Sequence, residues 1–461
     1  MRLTSIQKDR AGGVLLGQAI GDALGVPYEF GAPISVGEAA MIGGGLGPYA
    51  PGEWSDDAQM AICIAQASAD GADLRTDAGL NEVAAAFLRW QTRGASDIGI
   101  QTSRVLDAAR KTSGPLADVM TTAARAAARE RRAGNGALMR TSVVGLVDLG
   151  DHEATADVAA RVSALTHADQ RCIDSCVLWS EAVRVAVVEG RFDIRAGLSL
   201  IPEPRRTQWR ELIDQAETRP PSAFDRNGFT VTAFQAAWSA IYATRHIEGP
   251  DQVEAALQTV IAIGHDTDTI AAIAGGLLGA RYGVSGLPSD LVRRVNGWPG
   301  LRGRDLVGLA LAIATGSQEP QYSGASMLSN CSPSLEVPHP DDREVILGTE
   351  SDLSRCSDLG VTAVVSLSRI GKPELAAAGV GSGKHAEVWL IDSENPAKNA
   401  HLSWTLTDAA RTIAALRDQG ERVFVHCVRA EHRTPAVALA YSRLRKAGPG
   451  AEARIEEAIG H

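Results

Sequence analysis

Ile263-Gly264-His265-Asp266-Thr267-Asp268-Thr269 runs without a break into Ile270-Ala271-Ala272-Ile273-Ala274-Gly275-Gly276. Two carboxylates and two threonines thus stand directly before a small, apolar, helix-forming segment. Asp and Thr open helices well because their side-chain oxygens satisfy the unpaired first-turn N–H groups. One reading is therefore an N-cap with a spare acid. The other is electrostatic: two carboxylates buried beside an apolar, Gly-rich helix repel each other and lose hydration unless a cation joins them. On that reading the stretch is half of a hard-metal site made of oxygens.

Ser55-Asp56-Asp57 has the same character. It opens a second predicted helix, with Met60, Ile64 and Ala67 on one face, and offers further hard oxygens. Upstream, Ala11, Val14, Leu15, Ala19 and Leu24 follow helical spacing from Asp9 to Leu24. Gly12, Gly13, Gly17 and Gly21 each cost roughly 1 kcal/mol relative to Ala in an exposed helix, so close helix-on-helix packing is expected there. This helix ends at Gly21-Asp22-Ala23-Leu24-Gly25, ahead of Pro27 and Glu29, and a Gly/Pro-rich loop leads to Trp54.

From 77 to 315 the Ala-rich segments 79–91, 97–109, 115–132, 157–165, 172–189, 232–244 and 250–263 read as helices. Residues 202–228, with Pro204, Pro220 and Pro221, read as a looser surface connection. No alternating run points to a sheet, so the expectation is an all-α first domain over 1–316. Residues 317–340, rich in Ser, Pro and Gly, read as a linker. Beyond it, strand-like runs at 361–367, 387–391 and 422–425 alternate with helical patterns at 407–419 and 434–446. That predicts a small α/β domain over 341–461.

The 461 residues, 45% hydrophobic and 22% charged, describe a chain able to bury sizeable cores. A net charge of −10 argues against general nucleic-acid binding. Six cysteines without a C-x-x-C pair do not form a disulfide framework, and no stretch has the apolar length of a membrane span or the look of a signal peptide. The expectation is a cytoplasmic protein without membrane contact.

Taken together, Gly21-Asp22-Ala23-Leu24-Gly25, Glu29, Ser55-Asp56-Asp57, Gly134-Asn135-Gly136-Ala137-Leu138-Met139-Arg140, Leu165-Thr166-His167 and Asp266-Thr267-Asp268-Thr269 resemble the ADP-ribosylglycohydrolase family, in order, over about residues 9–315. The resemblance implies an all-α fold with a dinuclear Mg²⁺ or Mn²⁺ centre in a cleft, ligated by Ser55, Asp56, Asp57, Asp266, Asp268 and Thr269. Ser55 stands where the family often has Thr, which keeps the hydroxyl. Glu29 falls at the position of the family's mobile active-site glutamate, and Glu29 or Asp57 would handle the proton. Asp97, in a block shared with bacterial members, would face the scissile bond or else cap a helix. Asp22 reads equally as a helix C-terminal contact. Gly134, Asn135 and Gly136 would cradle the diphosphate through backbone N–H groups, or form only a tight turn. His167 would reach the ligand's ribose or phosphate. The implied partner is an ADP-ribosylated protein or small molecule, and the implied reaction is cleavage at the anomeric carbon, where oxocarbenium character calls for paired carboxylates. A non-catalytic ADP-ribose-binding module on the same fold is the rival reading.

In Val425-His426-Cys427-Val428-Arg429-Ala430-Glu431-His432-Arg433-Thr434, Cys and Arg flank five residues between a predicted strand and helix. This spacing lets backbone N–H groups ring a phosphate, with Cys427 as nucleophile and Arg433 as anion partner. Residues 341–461 resemble dual-specificity or tyrosine phosphatases, implying a phosphorylated substrate. Asp392, 35 residues before Cys427, would be the general acid or a turn residue. That family prefers Gly at the position of Ala430, and Glu431 places a carboxylate in an anion-binding loop. An active phosphatase and a degenerate phosphate-binding module both remain open.

Overall fold

The computed structural model describes residues 2–130, 133–316, 334–370 and 378–460. The chain forms two compact units, Met1–Leu287 with Val295–Gln318, and Pro288–Arg294 with Glu319–His461.

The first unit is helical. Its helices are α1 (Ser5–Gly25), α2 (Asp56–Ala69), α3 (Asp77–Arg93), α4 (Ile100–Lys111), α5 (Leu116–Arg129) and α6 (His152–Ala164). They continue with α7 (Gln170–Glu189), α8 (Glu203–Thr218), α9 (Thr230–Ala243), α10 (Asp251–Ile261) and α11 (Thr267–Tyr282); α13 (Gly303–Thr315) closes the unit after the short α12 (Ser289–Arg294). Every residue of α11 except Arg281 is buried, which its uninterrupted apolar composition requires. Against it, antiparallel, lies α1, and backbone meets backbone along the seam. A Cβ at Gly13 would sit 2.3 Å from the Gly279 carbonyl oxygen, one at Gly17 2.4 Å from that of Gly275, and one at Gly21 2.0 Å from that of Ala271. At Gly25 it would sit 2.5 Å from Asp268 Cα. The expected helix packing is thus present, with a four-residue period that brings the end of α1 onto the start of α11.

The sequence-based expectation fails at 202–228, where α8 forms. Prolines bracket that segment, but Pro204 sits in the first turn, where a missing N–H costs nothing, and Trp209, Ile213 and Ala216 bury one face. Asp97 is not a helix cap either, since α4 starts at Ile100 behind Gly99. The first unit also contains one small hairpin, β1 (Asn296–Gly297) with β2 (Leu301–Arg302).

The second unit is α/β. Its strands β3 (Val337–His339), β4 (Asp342–Thr349), β5 (Ala363–Ser366), β6 (His385–Glu387) and β7 (Val423–Cys427) form one sheet in the order β3-β4-β7-β5-β6. Only the β3–β4 pair is antiparallel among these pairings. Helices α14 (Leu402–Asp418), α15 (Arg433–Leu444) and α16 (Ala451–Ile459) complete it. Alternation along the strands divides the core: Val345, Leu347, Val423 and Val425 pack with Ile413, Val437 and Ile455, whereas Ile346 and Phe424 pack with Leu353 and Cys356.

Two boundaries differ from those read in the sequence. Residues 317–333 of the expected linker lie outside the described residues, but its end is structured, because Val337–His339 pairs as β3 with β4. In the other direction α12 belongs with the second unit: Ser289 N–H donates to Asp408 (2.9 Å), and Arg293 donates to the Gly383 carbonyl.

Candidate metal centre and phosphate loop

Three helix ends converge in the first unit: the C-terminus of α1, carrying Asp22, and the N-termini of α2 and α11. Oxygens of Asp22, Asp57 and Asp268 lie within 4.8 Å of one another, and so do those of Glu29, Asp266 and Asp268. Asp268 belongs to both groups. None of the described ion pairs engages any of these carboxylates with Lys, Arg or His, and a hard divalent cation is the partner that such a buried all-oxygen set fits.

Each acid is held in place. Asp22 Oδ1 accepts the Ser55 N–H and lies 2.8 Å from Ser55 Oγ, while its Oδ2 accepts the Ala58 N–H at 2.9 Å. Asp22 therefore caps α2 from a distance of 33 residues in sequence, a role no local pattern announces. Ser55 Oγ also lies 3.0 Å from Asp57 Oδ2, and Thr269 Oγ1 donates to Asp57 Oδ1 at 2.9 Å. In this structure Ser55 and Thr269 thus position a carboxylate. Asp266 occupies the N-cap position of α11, yet its side chain makes no capping bond. Its Oδ2 instead accepts from Asn135 Nδ2 (2.8 Å), and its N–H donates to Asn227 Oδ1 (3.0 Å). Thr267 does not cap either; its hydroxyl donates to the Gly25 carbonyl at 2.9 Å and ties α11 to α1. Asp56 is half-buried and lies outside both oxygen groups.

Glu29 stands half-exposed at the lip, followed by Phe30, whose N–H donates to the His265 carbonyl at 2.7 Å. Asp97 is exposed and accepts the Ile98 N–H; after burial, its charge is the largest contribution raising Asp56. In the Gly134–Gly136 segment the Asn135 N–H is taken by the Gly228 carbonyl (3.3 Å). The asparagine side chain, expected only as part of the loop, orients Asp266. His167 is buried with Nδ1 2.9 Å from Thr166 Oγ1, and burial, then the Arg140 charge, pushes it down to about 3, so it is neutral. A Cβ on Gly136 would lie 2.9 Å from the His167 ring, which explains glycine there. Asn227 and the Asn135 side chain are the participants that sequence reasoning missed, and Asp22, read there equally as a helix C-terminal contact, belongs to the acidic centre.

Burial, and then neighbouring negative charge, raises Asp57 and Asp268 well above the usual carboxylate range. Asp22 goes up to about 7 through burial, and Glu29 to about 8 through burial, Asp266, Asp97 and Asp22. Without a cation the fold holds protons that the unfolded chain has released. The stability they contribute is complete below about pH 4 and is lost as pH rises through about 7–8. The protein in chelator is therefore expected to melt at a lower temperature at pH 8 than at pH 5.5, with Mg²⁺ or Mn²⁺ restoring the melting temperature at pH 8. Thermal melts across that range check this, and a Tm independent of pH would contradict it.

In the second unit, β7 ends at Cys427 and α15 begins at Arg433, so the intervening loop lies at the carboxyl edge of the sheet. Cys427 is buried and its Sγ accepts the Ala430 N–H at 3.2 Å. Ala430 has φ of 59°, a left-handed conformation costing about 1 kcal/mol for a non-glycine residue. Glu431 faces solvent beside Arg429 (3.9 Å), away from the loop's interior. Arg433 Nη1 donates to the carbonyls of Leu367 (2.8 Å) and Leu390 (3.2 Å), and Nη2 lies 3.7 Å from Asp392. Asp392 also meets His432 Nδ1 at 3.2 Å. Leu390, Asp392, Leu402, Leu406 and Arg433 line a cavity of ≈ 320 Å³ beside them.

The first unit is thus an α-helical scaffold enclosing a carboxylate centre at the meeting of three helix ends. The ADP-ribosylglycohydrolase family profile matches residues 3–322, and the chain belongs to that family. The ADP-ribosylarginine hydrolase Tri1 of Pseudomonas putida is 28% identical over 294 residues, covering 62% of this chain and 74% of that protein. The ADP-ribosyl-[dinitrogen reductase] glycohydrolase of Rhodospirillum rubrum is 28% identical over 299 residues, 62% of this chain and 90% of the relative. A solved structure described as an ADP-ribosylglycohydrolase-related protein complex superposes with a TM-score of 0.52 at 27% identity, over 67% of this chain and 98% of its own. Among the described residues, no helix is long and apolar enough to cross a membrane.

Proposed function

We propose that the protein is a divalent-metal-dependent hydrolase that cleaves the glycosidic bond between ADP-ribose and a modified side chain. The observation that carries this reading is the pair of oxygen groups sharing Asp268. Asp22, Asp57, Asp266 and Asp268 would hold Mg²⁺ or Mn²⁺, with Ser55, Asp56 and Thr269 adjoining. Ions held there would orient the ribose hydroxyls and lower the pKa of the attacking water. The chain's own residues do the rest. Asn135 and Asn227 fix Asp266, and Ser55 and Thr269 fix Asp57. Glu29, at the lip, passes the proton between the reacting water and the leaving group. Neutral His167 offers a hydrogen bond to the sugar or phosphate without adding charge. Arginine-linked ADP-ribose is the first substrate class to test, because it appears in a relative's name. Mg²⁺- or Mn²⁺-dependent release of ADP-ribose from ADP-ribosylarginine, stopped by chelator, is expected; metal-independent release would contradict the reading.

For the second unit we propose a phosphate-binding loop of the dual-specificity-phosphatase kind. The strand–loop–helix placement of Cys427 and Arg433, with Asp392 beside the loop, supports it. The full chain should hydrolyse an aryl phosphate, and Cys427→Ser should abolish that turnover without touching ADP-ribose release. Absence of aryl-phosphate turnover by the unmodified protein would leave phosphate binding without catalysis, measurable by calorimetry with inorganic phosphate.

A further inference from the structure

Arg140 is a completely buried cation, placed at the end of the short helical turn Leu138–Arg140. Its guanidinium stacks over the Phe87 ring, 4.5 Å from the centroid, and Nη1 faces Met60 Sδ at 3.5 Å. Among the described residues no carboxylate pairs with it. Burying a cation without a counter-ion is costly, so its placement calls for a reason. Its shortest contact is with a hydroxyl. Nη2 donates to Thr166 Oγ1 at 2.7 Å, and to the Val162 carbonyl at 3.2 Å.

A guanidinium donates and never accepts. Thr166 Oγ1 therefore accepts from Arg140, and its single proton is left for another partner. The acceptor within reach among the described residues is His167 Nδ1, 2.9 Å away. Thr166 is fully buried, so an unpaired hydroxyl proton there would carry a desolvation penalty. The chain of donors thus runs from Arg140 through Thr166 to Nδ1, which must be the unprotonated nitrogen. The ring then carries its proton on Nε2.

The Nε2 edge is the open one. It has no hydrogen-bond partner among the described residues, although the residue is only 2% exposed. Two glycines flank it: a Cβ on Gly134 would lie 3.6 Å from Nε2, and one on Gly136 3.2 Å. Between them Asn135 reaches Asp266, so the unpaired N–H stands beside the loop that orients one carboxylate of the centre. The backbone is pinned as well. Gln101 Nε2 donates to the Thr166 carbonyl and the His167 N–H to the Ser163 carbonyl, both at 2.8 Å.

We propose that Arg140 and Thr166 are positioning residues that lock His167 in the Nε2–H tautomer, so that it meets the ADP-ribosyl group only as a donor, to a phosphate or ribose oxygen. The donor role rests on the glycohydrolase reading; the tautomer does not. The same lock keeps His167 off a metal, because neither ring nitrogen has a lone pair to spare.

Long-range ¹H–¹⁵N correlation on the full chain, with ¹⁵N-labelled histidine and His167 assigned through His167→Gln, reads the tautomer. In the unmodified protein Nδ1 should show the shift of a pyridine-type nitrogen and Nε2 that of a pyrrole-type one. In Thr166→Val and in Arg140→Met the two shifts should converge as the tautomers mix, and Thr166→Ser should restore them. With ADP-ribosylarginine and Mg²⁺, Thr166→Val should raise KM about tenfold and change kcat less than about twofold, as loss of a contact made equally in ground and transition states requires. A pyrrole-type Nδ1 in the unmodified protein, or shifts unmoved by Thr166→Val, would overturn the lock. Mixed tautomers with an unchanged KM would overturn the donor role. The expected tautomer in an unmodified chain that does not turn over ADP-ribosylarginine would uphold the lock and overturn the arginine-linked glycohydrolase reading.

Discussion

Replacing Asp268 by alanine should lower kcat/KM for ADP-ribose release by about 10³-fold, the upper range for deleting one charge-stabilising group. Asp268 is singled out because it is the carboxylate common to both oxygen groups. Its loss opens both at once, whereas loss of Asp22 or Asp266 opens one. The contrast is Asp97→Asn. Asp97 is exposed and outside both groups, so about a tenfold loss is expected from altered charge at the lip alone. Titration calorimetry with Mn²⁺ separates the two variants independently of turnover: binding should vanish in the first and persist in the second. Wild-type release by Asp268→Ala in chelator would end the metal account.

The second large effect lies in the seam beneath the centre. Gly21→Ala places a methyl carbon 2.0 Å from the Ala271 carbonyl oxygen, a contact that no rotamer change relieves because both partners are backbone. The helices must separate, and Asp22 and Asp268 part with them. A destabilisation of about 3 kcal/mol is expected, lowering Tm by roughly 6–12 °C for a unit of this size. Gly12→Ala is the control on the same helix. There the new carbon meets the ends of Val284 and Val307 side chains at 3.0 and 3.1 Å, which can shift, and the gain in helix propensity offsets part of the cost. Equal melting temperatures for the two variants would show that the seam does not set the geometry.

Much of the first unit is legible in the sequence because its signals are local. Glycine spacing in α1 and the unbroken apolar run of α11 announce close packing, and clustered acids at two helix starts announce a site. The remainder depends on contacts between distant residues. Asp22 is one acid at the end of a helix until the fold brings it to Ser55. Asn227 lies in a segment whose prolines read as a loose connection, and its service to Asp266 has no signature in spacing. The Gly134–Gly136 turn reads as a backbone feature, but the asparagine side chain proves to be what reaches the centre. In the second unit β4 escapes a reading by pattern because it opens with the charged run Asp342-Arg343-Glu344, and its apolar residues start only at Val345. The loop at Cys427 is visible through its fixed spacing, whereas the carbonyl partners of Arg433 are not.

The seam between α1 and α11 has a consequence for motion. Glycine and alanine have no side-chain torsions to explore, so this contact carries no rotamer entropy and no slow repacking. Fluctuation at the centre must then come from above it, where Phe30 and His265 hold left-handed backbone conformations beside Glu29. Amide order parameters should divide accordingly, high for Asp22 and Asp268 and lower for Glu29. On this expectation the carboxylates on the seam keep their separation on the nanosecond scale, while the one at the lip moves more.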